Sequence, residues 1–211
     1  MGDTTSGRYP DSEEEWLLDG MPTPPYRRTI SRRDITATWQ PATTAYLNVF
    51  AVPVQAGDIF DYISFAVKTA SATQTHAWAA LYNGVGTGAA LQAQTADVGA
   101  TVLAASTAYK WQLGSPVSNI GTVGTPQGPS TGVIVPQGPA VWGIAFYVAA
   151  TTLPVLDGMA GGAVLGEVVV SGQVPIASTG GSIGATATAP SVLPTMTSLA
   201  GAVPYLLLSR N

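Results

Sequence analysis

The chain has 211 residues, no Cys and one His, and only 9% of its residues are charged, which gives a formal net charge of −4. This length suits one domain with an appendage and is enough to bury a sizeable core. The acidic balance argues against a general nucleic-acid surface, which would need a strongly basic footprint. The lack of Cys excludes disulfide scaffolds, zinc ribbons and cysteine nucleophiles.

Charge is concentrated at the start of the chain. Residues 1–34 contain seven acids and five Arg, which together make up twelve of the twenty charged residues. From residue 35 onward the composition changes to Ala, Val, Thr and Gly. We therefore predict two parts, a charged and Pro-rich N-terminal arm at residues 1–34 and a β-sandwich domain at residues 35–211.

The arm begins with a helix signal and continues with a segment that excludes helix. Ser12 followed three residues later by Glu15 is a capping box, which predicts one short helix. Three Pro within residues 22–25 favour an extended course after it. The apolar residues of the arm have no periodic core face, so we expect them to order on a neighbouring subunit, with a disordered tail as the alternative. The predicted docking residues are Trp16, Leu17, Leu18, Met21 and Tyr26.

Two pairs of Arg follow the Pro-rich segment, namely Arg27, Arg28, Arg32 and Arg33. Four neighbouring cations are able to clamp phosphates, which would indicate nucleic acid. The acidic run at residues 11–15 partly cancels their field, however. We therefore expect these Arg to dock in an acidic groove of a partner protein, with no nucleic acid bound.

The region after the arm is predicted to be all β. In residues 75–83, Trp78 and Tyr82 share one face of a strand while Ala79 and Leu81 share the other. A buried face needs a second sheet to cover it, and the apolar run at residues 140–149 is the obvious supplier. The predicted strands are residues 45–52, 58–69, 75–83, 89–95, 108–113, 132–135, 140–149, 164–170 and 203–209.

Many short strands with turn residues between them, and no amphipathic helices, favour an antiparallel β-sandwich of jelly-roll type over an α/β fold. Two stretches interrupt this pattern, at residues 114–139 and 171–201. Both are rich in Gly, Pro, Ser and Thr and are longer than loops in compact domains normally are. Because they carry few charges, we predict that they contact a partner chain rather than solvent alone.

Catalytic and metal motifs are weak in this sequence. Residues 180–184 fit the G-x-S-x-G pattern of a nucleophile elbow, but His76 lies about a hundred residues upstream and no helix signal follows. The acids after the arm are interpreted as structural turn residues: Asp58, Asp61, Asp97, Asp157 and Glu167. We therefore expect no enzyme activity, catalytic residue, metal or cofactor. No apolar run approaches the ~20 residues of a membrane helix, so no membrane is expected either.

Three tryptophans are candidates for glycan contact, namely Trp78, Trp111 and Trp142. Aromatic rings on strands of lectin-like sandwiches serve as platforms on which sugars stack. Aromatic residues at strand positions more commonly belong to the core. Carbohydrate binding is therefore kept as an alternative function.

Several stretches resemble a β-sandwich domain of virion proteins from tailed phages that infect actinobacteria. They are ITATWQPATTAYLNVFAVPVQAGDIFDYISFAV, THAWAALYN, AYKWQL, VWGIAFYVAATTLPVL and PYLLLS. The resemblance covers residues 35–209 and rests on the order and character of the strands. It implies a structural protein of the virion exterior, either a minor tail protein or a head decoration protein. Implied partners are capsid or tail subunits and further copies of the chain, as a trimer in many phage exterior proteins, with a host surface glycan under the alternative.

Overall fold

A computed structural model of the chain describes residues 26–30, 35–114, 133–134, 140–159, 177–198 and 202–210. Within these ranges every regular element is a β-strand, which confirms the predicted all-β class. The predicted short helix and the predicted strand at residues 164–170 lie outside the described residues. In chain order the strands are β1 (Tyr26–Arg28), β2 (Ala37–Trp39), β3 (Tyr46–Val54), β4 (Ile59–Phe60), β5 (Tyr62–Thr69), β6 (His76–Tyr82), β7 (Leu91–Thr95), β8 (Thr107–Gly114), β9 (Val133–Ile134), β10 (Ala140–Ala149), β11 (Val155–Met159), β12 (Ala177–Ser182), β13 (Thr197–Ser198), β14 (Val203–Pro204) and β15 (Leu207–Ser209).

The strands form two layers that β8 connects, and every described pairing is antiparallel. Sheet A contains β1, β15, β5 and β8, and β11 pairs with β5 and also with β2 and β14. Sheet B has the strand order β7, β6, β10, β3, β12 and β13. Strand β8 pairs with β5 along most of its length, and its last residues, Leu113 and Gly114, pair with β7. Strands β4 and β9 form a separate pair.

The two faces of β6 bury different clusters, whereas the sequence predicts one buried face covered by a sheet that contains residues 140–149. That prediction is wrong about β10, which pairs with β6 in the same sheet. Ala79 and Leu81 belong to the core between the sheets, whereas Trp78 and Tyr82 belong to a second apolar cluster on the outer face of sheet B. The neighbouring β10 is buried from Trp142 to its end. A strand that is covered on both sides reads as a continuous apolar run, which explains the sequence of residues 140–149.

The core between the sheets is aromatic at its centre. Phe65 of sheet A contacts Trp111 and Phe146 edge to face, with ring centroids 4.6 and 5.1 Å apart. Trp39 packs in the same way on Phe50, at 5.1 Å. All five side chains are buried. These contacts join the two sheets into a sandwich, because three of the rings come from sheet A and two from sheet B.

The outer face of sheet B is covered by residues 183–196, hereafter the strap. The sequence predicts that residues 171–201 form an irregular loop against a partner chain. Instead, Ala177–Ser182 pairs with β3, and the strap then packs on the same chain. The main chain of the strap is hydrogen-bonded at two points. Ile183 N donates to Ala45 O, just before β3, at 3.0 Å, and Leu193 N donates to Ala89 O, just before β7, at 2.8 Å. Most of the other long loop, at residues 115–132, lies outside the described residues.

The sandwich includes part of the segment that the sequence assigns to the arm. Strand β1 pairs with the C-terminal strand β15, with Arg27 opposite Leu208. Ile30, two residues after β1, is buried in the core between the sheets. The folded part therefore starts before the expected boundary at residue 34, and β1 forms one edge of sheet A.

Candidate functional site

The first residues of the described chain are held to the turn before β4 by a buried ion pair. Arg27 Nε lies 2.7 Å from Asp58 Oδ2, and Arg27 Nη2 lies 3.0 Å from Asp58 Oδ1. Both residues are buried, with 8% and 2% of their surfaces exposed. Two parallel N–H···O bonds to one carboxylate fix both the position and the orientation of the guanidinium group. This pair fixes β1 to the turn before β4.

The turn that carries Asp58 is shaped for this contact. Gly57 has a φ of 87°, a left-handed conformation that a side chain would disfavour. The amide of Asp58 donates to Gln55 O at 3.1 Å, and the amide of Gln55 donates back to Asp58 Oδ2 at 2.8 Å. The carboxylate is therefore held by its own turn as well as by Arg27.

Thr29 adds a second attachment, next to the C-terminal strand. Its amide donates to Leu206 O at 3.1 Å and its hydroxyl donates to Pro204 O at 2.7 Å. The same hydroxyl oxygen accepts from Leu206 N at 3.0 Å. Arg27, Thr29 and Asp58 are hereafter called the anchor, because together they fix the start of the described chain.

The anchor corrects part of the predicted docking surface. Arg27 was expected to reach an acidic groove on a partner protein, but the acidic group that it meets is Asp58 of the same chain. Arg28 is also buried, with 7% of its surface exposed. The other predicted docking positions, Trp16, Leu17, Leu18, Met21, Arg32 and Arg33, lie outside the described residues. Tyr26 pairs with Ser209 at the start of β1.

The strap is bound through its main chain by side chains of sheet B. Trp78 Nε1 donates to Thr186 O at 2.9 Å, and Tyr82 OH donates to Pro190 O at 2.8 Å. Gln94, which is buried, donates from Nε2 to Ala187 O and accepts at Oε1 from Ala189 N at 2.8 Å. Tyr147 OH donates to Gly184 O and accepts from Thr186 N. Four side chains therefore hold the strap on an apolar layer of sheet B.

Sheet B and the strap share an unusual composition. Strands β3, β6, β7, β10, β12 and β13 and the strap contain no Asp, Glu, Lys or Arg. The charged side chains in the described part of the chain lie in sheet A or in connecting segments, as Lys68, Lys110 and Asp157 do. The outward side of residues 182–198 consists of Gly, Ala, Ser, Thr, Pro and Val, and is largely exposed. This charge-free surface is hereafter the strap face.

The three tryptophans considered for glycan contact are all buried. Trp78 lies under the strap, Trp111 lies in the core between the sheets, and Trp142 is 4% exposed. A sugar stacks on an exposed aromatic face. These positions offer no such face in the folded chain, so the expectation of a glycan platform at them is corrected.

His76 and Asp97 form a second polar pair that sequence reasoning did not anticipate. His76 Nδ1 lies 2.6 Å from Asp97 Oδ2, while Asp97 Oδ1 accepts from the amides of Ala77 and Gly99 at 2.9 and 3.0 Å. A carboxylate that already accepts two amide bonds holds the imidazole with its Nδ1 proton facing it. The pair joins the start of the β7–β8 loop to the first residue of β6, and its residues are 21 positions apart, so no local pattern connects them.

The other polar motifs do not converge in the described structure. Ser182 ends β12, and the chain continues as the strap rather than as the helix that a nucleophile elbow requires. Asp58 binds Arg27, and Asp157 lies on β11 opposite Thr38. Among the residues that the structure describes, no three His, Asp or Glu side chains are grouped as metal ligands. Glu167 lies outside those residues.

Comparison with known proteins gives no family for the chain. No protein-family model, curated protein or solved structure matches it. Within the described ranges, no helix has the length and apolarity needed to cross a bilayer.

Proposed function

We propose that the chain is a structural protein of the exterior of a tailed-phage virion, either a minor tail protein or a head decoration protein. In this proposal the N-terminal segment attaches the protein to capsid or tail subunits, and the sandwich faces outward. The resemblance of residues 35–209 to virion β-sandwich domains of actinobacterial phages motivates the assignment.

The anchor is the observation that carries this proposal. A buried bidentate ion pair and the Thr29 hydrogen bonds fix residues 26–30 to the edge of sheet A. Residues 1–25 are therefore joined to the sandwich at a fixed position, residue 26. A segment tethered at a fixed point transmits its binding to the whole domain, which is what an attachment segment requires.

The charge of the attachment segment changes once the anchor is assigned to the sandwich. Residues 1–25 contain six acids and one Arg. The Arg pairs of the arm fall after this segment, and Arg27 is neutralised by Asp58. In the proposal, Trp16, Leu17, Leu18 and Met21 supply the apolar anchors, and the acids favour a basic surface on the partner subunit.

The burial of Trp78, Trp111 and Trp142 supports a structural role over glycan attachment. Trp78 belongs to the outer cluster of sheet B, and Trp111 and Trp142 belong to the core between the two sheets. Their side chains are accordingly explained by packing.

The test is incorporation into particles. A chain that lacks residues 1–25 keeps β1, Arg27 and Thr29, so it is expected to fold while failing to join purified particles. Full-length protein, produced in the same cells, is the control. Circular dichroism and the unfolding midpoint of the purified truncated chain establish that the sandwich is intact. Undiminished incorporation of that folded, truncated chain would overturn the proposal.

A further inference from the structure

The strap face combines three properties that are uncommon on the surface of a monomeric protein. It lies on a sheet and strap that contain no charged residue. Its side chains are small, as at Ala185, Ala187 and Thr188, which are all exposed. Its main chain is held from below by Trp78 and Tyr147. Surfaces that face water in soluble domains normally intersperse charges of both signs.

Exposed apolar side chains occur at the same side of the molecule. Among the described residues, the exposed large aliphatic side chains are Val102, Val141 and Val192. Val192 is 51% exposed and lies on the strap. Val141 is 38% exposed and alternates with Trp142, which points to the core, so Val141 faces outward from sheet B beside the exposed Pro53. Two of the three therefore lie on the outer side of sheet B.

We propose that the strap face is the surface through which copies of this chain bind one another. Charged residues are depleted from the centres of protein interfaces, and this face has none. When a charge-free face meets a copy of itself, no like charges are opposed. The same face offers nothing that would steer a strongly charged partner into place. We therefore take the partner of the strap face to be the strap face of a second copy, which is equally free of charge.

Burying the strap face in an interface would cost little conformational entropy. Ala and Gly lose no side-chain rotamer freedom when they are buried, and Ser and Thr lose little. The main chain is already fixed by hydrogen bonds from Trp78, Tyr82, Gln94 and Tyr147. A surface that is rigid before binding forfeits little freedom in forming the complex.

The proposal is tested by placing a charge on the strap face. Ala187→Glu puts a carboxylate at an exposed strap position, and Ala108→Glu makes the same change at an exposed position on β8 of sheet A. Mass is measured by light scattering and sedimentation over a concentration series. We expect the wild-type mass to be a multiple of 21.5 kDa. We expect Ala187→Glu to raise the dissociation constant at least ~10-fold, and Ala108→Glu to leave it unchanged.

A second measurement uses the absence of Cys from the chain. Thr188→Cys is expected to give a covalent dimer under mild oxidation or with a short thiol crosslinker, and Ala108→Cys is expected to give no covalent dimer. Circular dichroism establishes that each variant is folded. A wild-type chain that is monomeric at every concentration overturns the proposal, as does a folded Ala187→Glu variant with the wild-type mass. Both measurements use the purified full-length chain, so they are independent of whether the protein belongs to a virion.

Discussion

Trp78 and Tyr147 stack face to face, with ring centroids 4.6 Å apart and an interplanar angle of 11°. The two residues are direct register partners on β6 and β10. Each also donates a hydrogen bond to the strap, Trp78 to Thr186 O and Tyr147 to Gly184 O. One aromatic pair thus connects the middle of sheet B to the segment that covers it.

Tyr147→Phe tests the contribution of the hydroxyl. The substitution keeps the stacked ring but leaves Gly184 O and Thr186 N without this partner. We expect a loss of about 0.5–1.5 kcal/mol in the free energy of unfolding, measured with urea, because the hydrogen bonds that are removed lie at a partly buried position. Hydrogen exchange at strap amides should become faster. Tyr205→Phe is the matched control, since the Tyr205 hydroxyl makes no hydrogen bond to the described residues. Equal effects of the two substitutions would contradict this role.

Stability should fall at alkaline pH because two strap-binding tyrosines are hard to ionise. Burial raises the pKa of Tyr82 and of Tyr147 above the ordinary value of about 10, and for Tyr147 the Thr186 hydrogen bond opposes the shift while Asp97 adds to it. Above about pH 10, these two tyrosines lose their hydroxyl protons in the unfolded chain but keep them in the folded chain. The contribution to stability is therefore complete below about pH 10 and is lost as pH rises through the folded pKa values.

The measurement is the free energy of unfolding between neutral pH and the alkaline limit of reversible unfolding. Tyr82→Phe and Tyr147→Phe should each flatten the alkaline decline, because each removes a group that titrates differently in the two states. The absorbance of tyrosinate, followed against pH in the folded protein, reports independently on the ionisation of these tyrosines. An alkaline decline that is identical in the wild type and both variants would contradict the assignment.

The long strands were predictable because their pattern is local. Residues 76–82 alternate between two apolar clusters, and a period of two is visible without any knowledge of the fold. The predicted bounds of β3, β6, β8 and β10 lie within two residues of those observed. Strand β10 is a continuous apolar run, which also indicates a strand without knowledge of the fold.

The strap and the anchor were not predictable, because no local sequence pattern indicates them. Gly, Ser, Thr and Pro carry no periodic signal, so β12 and the strap read as an irregular loop. Arg27 and Asp58 are 31 residues apart, and nothing in either neighbourhood indicates the other. Short pieces such as β2 and β13 are strands only because a neighbouring strand pairs with them. Tertiary context decided each of these elements.

Gly143 is expected to be essential for packing on the outer side of β10. A Cβ at this position would lie 2.5 Å from Gly84 O and 2.6 Å from Val49 Cγ1. Gly143→Ala should therefore cost about 1–3 kcal/mol, because the backbone of residue 84 must move to admit the methyl group. Gly86→Ala is the control, since a Cβ there meets nothing within 4 Å. Urea unfolding of both variants checks this, and a Gly143→Ala variant as stable as Gly86→Ala would show that the loop yields without cost.

The Arg27–Asp58 pair should show strong energetic coupling in a double-mutant cycle. Arg27→Met leaves a carboxylate that is 2% exposed without its cation, and Asp58→Asn leaves a buried guanidinium without its anion. Each single substitution should lower the free energy of unfolding by about 3–5 kcal/mol, since an uncompensated buried charge is costly. The double variant should lose less than the sum, because neither charge remains. Lys68→Met, at an exposed position on β5, is the control and should change stability by less than ~0.5 kcal/mol. Strictly additive losses would mean that the two side chains act separately, and the attachment of β1 would then depend on strand pairing and Thr29 alone.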